Sequence, residues 1–440
     1  MLDTLQSFLR DAGFERTYCL AYSGGLDSQV LLQLCASLRK TQPFSLRAIH
    51  VHHGLNPQAD AWAAHCRRSC EELQVEFQCL RVDARPPVGE SLEAYAREQR
   101  YAVLKDQLQP GEVLLTAHHQ NDQAETVLLQ LLRGAGPKGL SAMPSLKPFG
   151  EGRLGRPLLS QTRVELEAYA KAQGLLWVED DLNANPHYPR NRLRHEILPQ
   201  IQRHWPRATA TLARSAELCA EAQAVLEEYA DRDLAAVAGV RPHVAGVRPP
   251  TISVKQLLEL SPARQRLILR RWFEVQGARL PNAVKLRQLQ QDVLHAAEDR
   301  QPCVSWEGVE LRRYQDELFL MPMQTPHEPT ASYPWDFATP LAIPGVGKLT
   351  AQSLRGQGLQ HKLENVAVRF RQGGETYSLP DGRHHELKKF FQEQGIPPWE
   401  RDRLPLLYAE DQLVAIPGYL LVESFKTAKE EAGWVINLSK

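Results

Sequence analysis

The chain has 440 residues, of which 43% are apolar, and this is enough for two or three domains with full-sized cores. Its 52 Lys and Arg balance 52 Asp and Glu, so any polyanionic partner must be met by a local basic surface. No apolar run approaches a membrane span, and the acidic N-terminus lacks a secretory h-region, so a soluble, cytoplasmic protein is expected. Seven cysteines without framework spacing or a CxxC pair argue against a disulfide scaffold. Cys66 and Cys70 are four apart on a predicted helix, as inert thiols or as a metal or redox pair.

In chain order, strands are predicted at 16–23, 45–53, 75–83 and 111–119. They alternate with helical apolar spacing at 27–40, 58–74, 91–108 and 121–134. This alternation implies an α/β domain built on a parallel, doubly wound sheet with ligands beyond the carboxyl ends of its strands. From Arg207 a long regular helix begins, interrupted at 238–250 by AGVRPHVAGVRPP, whose Pro and Gly make it a loop. Further helices and a small β-meander at 302–322 follow. The expected organisation is a catalytic domain over 1–206, a mainly helical domain over 207–325, a Pro-rich linker over 326–340 and a small α+β domain over 341–440.

Ser23, Gly24, Gly25, Leu26, Asp27 and Ser28 lie between the first strand and the next helix. Two glycines let backbone amides approach an anion, the helix dipole points at the same place, and two hydroxyls add donors. No Walker lysine is present, so transfer of a γ-phosphate is not favoured. Asp27 repels a phosphate unless Mg²⁺ lies between. A plain strand–helix turn with a capping residue is the bland alternative.

TAHHQNDQAET begins at another strand end. His118, Asp122 and Glu125 share a face if the helix begins at His118. If it begins later, the two carboxylates still share its first turn and can hold Mg²⁺ or a substrate ammonium. A capping role for these acids is the other reading. His119 is open between packing and the site. Arg133, Gly134, Gly136, Lys138 and Gly139 form an anion-friendly loop or a plain helix end. Arg190, Asn191, Arg192, Arg194 and His195 form a cluster of the kind that meets phosphates, or a solvated face.

The SGGLDS loop resembles that of the N-type ATP pyrophosphatases, or PP-loop family, which implies adenylation rather than phosphorylation. SGGLDS at 23–28, HHQNDQAET at 118–126, LLRGAGPKGL at 131–140 and RNRLR at 190–194 together resemble the tRNA(Ile)-lysidine synthetases. Leu182 stands where that family usually has Ser. The resemblance covers the first 200 residues strongly and reaches the C-terminal domain through KKFFQEQGIPPWERDRLPLL.

It implies a ligase that uses ATP and Mg²⁺ to adenylate C2 of the first anticodon cytidine of the isoleucine tRNA with anticodon CAU. Free lysine then attacks, giving lysidine, AMP and pyrophosphate. On this reading residues 23–28 hold ATP and Asp27 holds Mg²⁺. Asp122 and Glu125 grip lysine, while His118 contacts the nucleotide or manages a proton. Arg97, on the matching helix SLEAYAREQRY, holds a phosphate or the substrate carboxylate. Arg133, Lys138, Arg190, Asn191, Arg192 and Arg194 meet the anticodon arm, and Arg369, Arg371, Lys388, Lys389, Arg401 and Arg403 are cations to test for acceptor-stem contacts. The rivals are a PP-loop tRNA sulfur transferase, a GMP or NAD synthetase, and a non-catalytic tRNA-binding protein. Monomer and homodimer are both compatible with the sequence.

Overall fold

The structure, a computed structural model, describes residues 1–439 except 14–16, 55, 84, 88–91, 180–187, 240–250 and 298–299. Leu182 and the AGVRP repeat from Val240 onward lie outside the described residues. Two compact units are present, Met1–Leu226 and Glu227–Lys440. Among the described residues no helix is long and apolar enough to cross a membrane.

The first unit runs α1 (Leu2–Ala12), β1 (Thr17–Ala21), α2 (Leu26–Arg39), β2 (Ser45–His52), α3 (Ala59–Glu72), β3 (Glu76–Arg81), α4 (Leu92–Asp106), β4 (Val113–Leu115) and α5 (Gln120–Leu132). It continues with α6 (Pro137–Leu140), β5 (Leu146–Phe149), β6 (Gly152–Gly155), α7 (Arg163–Ala172) and α8 (Pro189–Arg192). A π-helical turn (Leu193–Ile197), α9 (Leu198–His204) and the part of the long α10 (Ala208–Ala236) up to Leu226 follow. The sheet order is β3-β2-β1-β4-β6-β5, parallel throughout except for the edge strand β5. The α/β doubly wound fold is therefore present, with an antiparallel edge. That edge escapes the sequence because each strand of its hairpin has only four residues.

Alternation along β1 builds a core on each face. Tyr18 and Leu20 join Leu5, Leu9, Leu31, Leu34 and Leu166 on one side. Cys19 joins Ile49, Leu104, Leu114 and Leu154 on the other. Each such fully buried apolar side chain contributes on the order of 1.5–3 kcal/mol. Strand order reverses between β1 and β4, so the segments leaving these two strands border the crevice where doubly wound sheets bind ligands.

In the second unit a four-stranded antiparallel sheet (residues 252–253, 303–306, 309–314 and 317–322) carries helices Pro262–Val275 and Ala283–Leu289. They pack around Trp272, Phe273 and Trp306. From Tyr333 on, two of three further antiparallel sheets enclose Trp335, Leu349 and Val368, and helix Leu387–Glu393 packs in a neighbouring cluster.

Candidate active site

The segment after β1 turns sharply. Gly24 has φ +83°, and a Cβ there would lie 2.8 Å from Cys66 Sγ and 3.1 Å from Val178 Cγ2. Only glycine combines that left-handed backbone with so little space. The Val178 N–H donates to the Gly24 carbonyl at 3.0 Å and pins the turn from behind. Ser23 Oγ lies 3.0 Å from Ser28 Oγ, and Ser28 Oγ donates to the Gly25 carbonyl at 3.0 Å. Leu26 is buried in the core and presents only its backbone. Gly25 caps α2, so the first amides of that helix open beside the two hydroxyls.

Asp27, in the first turn of α2, faces Arg163 Nη1 at 3.1 and 3.3 Å. His119 Nε2 lies 3.6 Å from Asp27 and 3.5 Å from Asp122. α5 begins at Gln120, so His118 precedes the helix and does not share the face of Asp122 and Glu125. His119 is the N-cap residue, and its N–H donates to Asp122 Oδ2 at 3.0 Å. The sequence groups the carboxylates with His118; the structure sets His119 against Asp122 instead. Burial opposes charge on His119, but Asp122 and Asp27 outweigh it and raise its pKa. His118 bonds Thr116 Oγ1 through Nδ1 at 2.8 Å, and burial pushes its pKa down to about 3, leaving it neutral at physiological pH.

Asp122 and Glu125 meet Arg190 and Arg194. Glu125, fully buried, accepts from Arg190 Nε at 2.7 Å and from Arg194 Nε at 2.6 Å. Asp122 Oδ1 accepts from Arg194 Nη2 at 2.9 Å and from Arg190 Nη2 at 3.4 Å. Burial alone raises the carboxyl pKa of Asp122, but His119, Arg190, His118 and Arg194 hold it well below the usual range. The sequence treats the carboxylates and the RNRLR segment as separate sites; the structure joins them. Positions 190 and 194 are four apart and turn inward, whereas Arg192 is exposed.

Arg97, on α4, is exposed and stacks over Tyr101 with its Cζ 5.1 Å from the ring centroid. Arg133 and Lys138 lie exposed at the α5–α6 turn. Arg163 and Val178 also meet the loop, and the sequence does not announce them, since the packing of α7 against α2 brings them there. The Cys66 and Cys70 thiols are buried and pushed up to about 12 by desolvation, which leaves no reactive pair. Among the described residues no cluster of His, Cys, Asp or Glu fits a protein-only metal cage.

Most of the C-terminal cations expected to meet RNA are engaged within the protein. Arg369 pairs with Asp411, Arg371 with Asp402, and Lys389 lies 3.9 Å from Glu386. Arg401 is buried and donates to the Ile396 carbonyl and Tyr314 Oη, while Arg403 donates to the carbonyls of Gly345 and Thr325.

A glycine-turned loop after the first strand of a parallel sheet, opening into a helix N-terminus with Asp in its first turn, defines a nucleotide-binding protein of the PP-loop class. Residues 2–201 match the family model described as PP-loop domain. Residues 252–319 match the TilS substrate binding domain and 366–438 the TilS substrate C-terminal domain. The tRNA(Ile)-lysidine synthase of Coxiella burnetii (strain RSA 493 / Nine Mile phase I) is 44% identical over 441 residues, covering 99% of this chain and 96% of the relative. That of Alkalilimnicola ehrlichii (strain ATCC BAA-1101 / DSM 17681 / MLHE-1) is 45% identical over 437 residues, covering 96% of each. That of Methylococcus capsulatus (strain ATCC 33009 / NCIMB 11132 / Bath) is 42% identical over 440 residues, covering 99% of each. The chain belongs to the tRNA(Ile)-lysidine synthase family.

Proposed function

We propose that this chain is a C–N bond-forming ligase that attaches free lysine to C2 of the first anticodon cytidine of the isoleucine tRNA with anticodon CAU. The observation that carries the reading is the convergence, at one sheet crevice, of the SGGLDS loop with His119, Asp122 and Glu125. The cradle suits a pyrophosphate. Gly24 turns the backbone, Ser23 and Ser28 point hydroxyls into the same space, and α2 adds its free amides.

Mg²⁺ keeps most of its water and binds through one or two carboxylates plus substrate phosphates, so the partly exposed Asp27 fits it. When bound, the ion offsets charge on the leaving oxygens. Ser23, Ser28 and the loop amides hold the pyrophosphate as the cytidine O2 attacks the α-phosphate and pyrophosphate leaves. The lysine ammonium gives up a proton to solvent, the resulting amine forms the C2–N bond, and AMP departs with the former carbonyl oxygen. His119, whose pKa Asp122 and Asp27 raise against its burial, bridges those carboxylates and holds them in register. Asp122 and Glu125 supply the negative pocket for lysine, a place that Arg190 and Arg194 fill in this structure.

Arg133, Lys138 and Arg192 are exposed and suit the phosphates of the anticodon arm. In the second unit, Arg266, Arg270 and Arg287 line one notch. They make no ion pair with a described carboxylate and suit an RNA backbone better than the engaged cations of the C-terminal sheets. All seven cysteines are free thiols, which fits a cytoplasmic setting. The buried, unactivated Cys66 and Cys70 disfavour sulfur transfer.

Incorporation of radiolabelled lysine into this tRNA, with ATP and Mg²⁺, tests the reading. Wild type is expected to label the RNA, and Asp27→Ala to lose at least about a hundredfold in rate. AMP release without lysine transfer would leave adenylation standing and sink lysine as the nucleophile. No AMP from folded protein would sink the ligase itself.

A further inference from the structure

The corner between α9 and α10 displays a side chain that neither core of the first unit takes up. Trp205 is 66% exposed. Its backbone is nonetheless fixed on both sides. Its N–H donates to the Ile201 carbonyl at 2.8 Å, and its carbonyl accepts from the Ala208 N–H at 2.9 Å. Gln202 Nε2 donates to Thr209 Oγ1 at 2.9 Å and ties the two helices together. The His204 ring meets the indole edge-on, with 5.9 Å between centroids and 61° between planes. The surroundings are basic. Arg203, His204 and Arg207 flank Trp205 in sequence and are exposed. Between Ile197 and Ala216 the chain has no Asp or Glu. Arg203 and Arg207 make no ion pair with a described carboxylate.

A lone exposed apolar side chain is ordinary, but this one differs in three ways. An indole offers a large flat π-face, and with its backbone already fixed it loses little entropy on contact. Cations on both sides attract a polyanion and repel a basic protein surface. The third difference is position. α8, the π-helical turn and α9 form one unbroken helical stretch, so Trp205 stands roughly 16 Å beyond Arg194 at about 1.5 Å per residue. Arg194 bonds Glu125 in the carboxylate knot. At about 3.4 Å per stacked nucleotide, that distance spans about five nucleotides, no more than one anticodon loop. An aromatic face beside cations suits an unpaired nucleobase, whereas a duplex keeps its base faces stacked.

We propose that Trp205 is a stacking platform for one unpaired base of the anticodon loop, with Arg203 and Arg207 meeting the phosphates beside it. This rests on the tRNA of the proposed function being the RNA that binds. The loop is then held at two fixed points, the cytidine at the crevice and a second base on the indole. The stack reads no sequence by itself, because every base has a π-face. It reads the shape of the loop, since a loop too short or too tightly paired cannot reach both points.

The test measures binding of the isoleucine tRNA with anticodon CAU to the full chain, alongside lysine transfer at subsaturating tRNA. Trp205→Ala is expected to raise Kd at least about fivefold, the lower bound for one stacked base. Trp205→Phe should recover most of that loss and Trp205→Leu should not. The slope of log K against log salt should stay as in wild type in all three, whereas replacing Arg203 and Arg207 together by Gln should flatten it. A tRNA made abasic at one loop position is expected to bind wild type as weakly as intact tRNA binds Trp205→Ala, and to lose nothing further in that variant. The proposal is overturned if Trp205→Leu binds like wild type, or if every abasic position weakens Trp205→Ala as much as wild type. Lysine transfer untouched by Trp205→Ala would remove the stack alone. Wild type that binds the tRNA but transfers no lysine would remove the ligase reading, and the abasic series would still decide the stack.

Discussion

A methyl group on Gly24 would meet Cys66 Sγ and Val178 together, on a backbone already at φ +83°. The left-handed conformation costs an ordinary residue about 1–2 kcal/mol, and overpacking adds about 1–3 kcal/mol. Gly24→Ala is therefore expected to lower the melting temperature by several degrees and to weaken ATP binding. The double variant with Cys66→Ala should recover the part due to crowding alone, as read by thermal melts. His118 yields a pH signature. Its folded pKa of about 3 lies below the unfolded 6.5, so the unfolded state takes up the proton first as pH falls. Its contribution is intact above pH 6.5 and erodes progressively toward pH 3. His118→Asn should lose less stability than wild type between pH 7 and pH 5 in urea titrations. His119, raised by its carboxylates, has the opposite sign: its contribution is full below pH 6.5 and fades as pH rises through its folded pKa. At this scale SGGLDS is legible because spacing alone defines a phosphate turn. The choice of His119 over His118 is not, because it depends on where α5 starts.

The pairing of α5 with α8 and the π-helical turn is held mainly by charge. Glu125 is fully buried, and its two guanidinium partners are mostly so. Removing one member of a buried ion network typically costs about 3–5 kcal/mol, because the partners are left uncompensated. Glu125→Gln is therefore expected to destabilise the first unit by about 3 kcal/mol in denaturant titrations. A loss below about 1 kcal/mol would show that the arginines find water readily. The alternating strands and helices that frame these elements are legible from apolar periodicity. The β5–β6 hairpin is not. Arg190 and Arg194 read as a phosphate cluster because sequence shows charge and spacing. It does not show that their inward face meets two acids some 65 residues earlier.

The whole molecule carries no net charge, so RNA affinity must come from the cations that remain once internal partners are subtracted. That subtraction removes most of the C-terminal candidates but spares Arg133, Arg192, Arg270 and Arg287, while Arg266 of the same notch is held only by the Gln290 amide oxygen. Replacing those three notch arginines by Gln should weaken tRNA binding. It should also flatten the log K against log salt slope by roughly two, since each phosphate no longer neutralised removes about 0.7–0.9 from it. An unchanged slope would place the RNA elsewhere.

The four side chains Asp122, Glu125, Arg190 and Arg194 sum to zero charge, and that neutrality has a thermodynamic consequence. On the proposed function, an ammonium entering the acidic pair would displace a guanidinium, which an RNA phosphate would then stabilise. Linkage would then make the effect reciprocal, tRNA tightening lysine binding by the same factor as lysine tightens tRNA binding. Without RNA the pocket is occupied by the protein's own cations, so the abundant small cations of a cell meet a site already full.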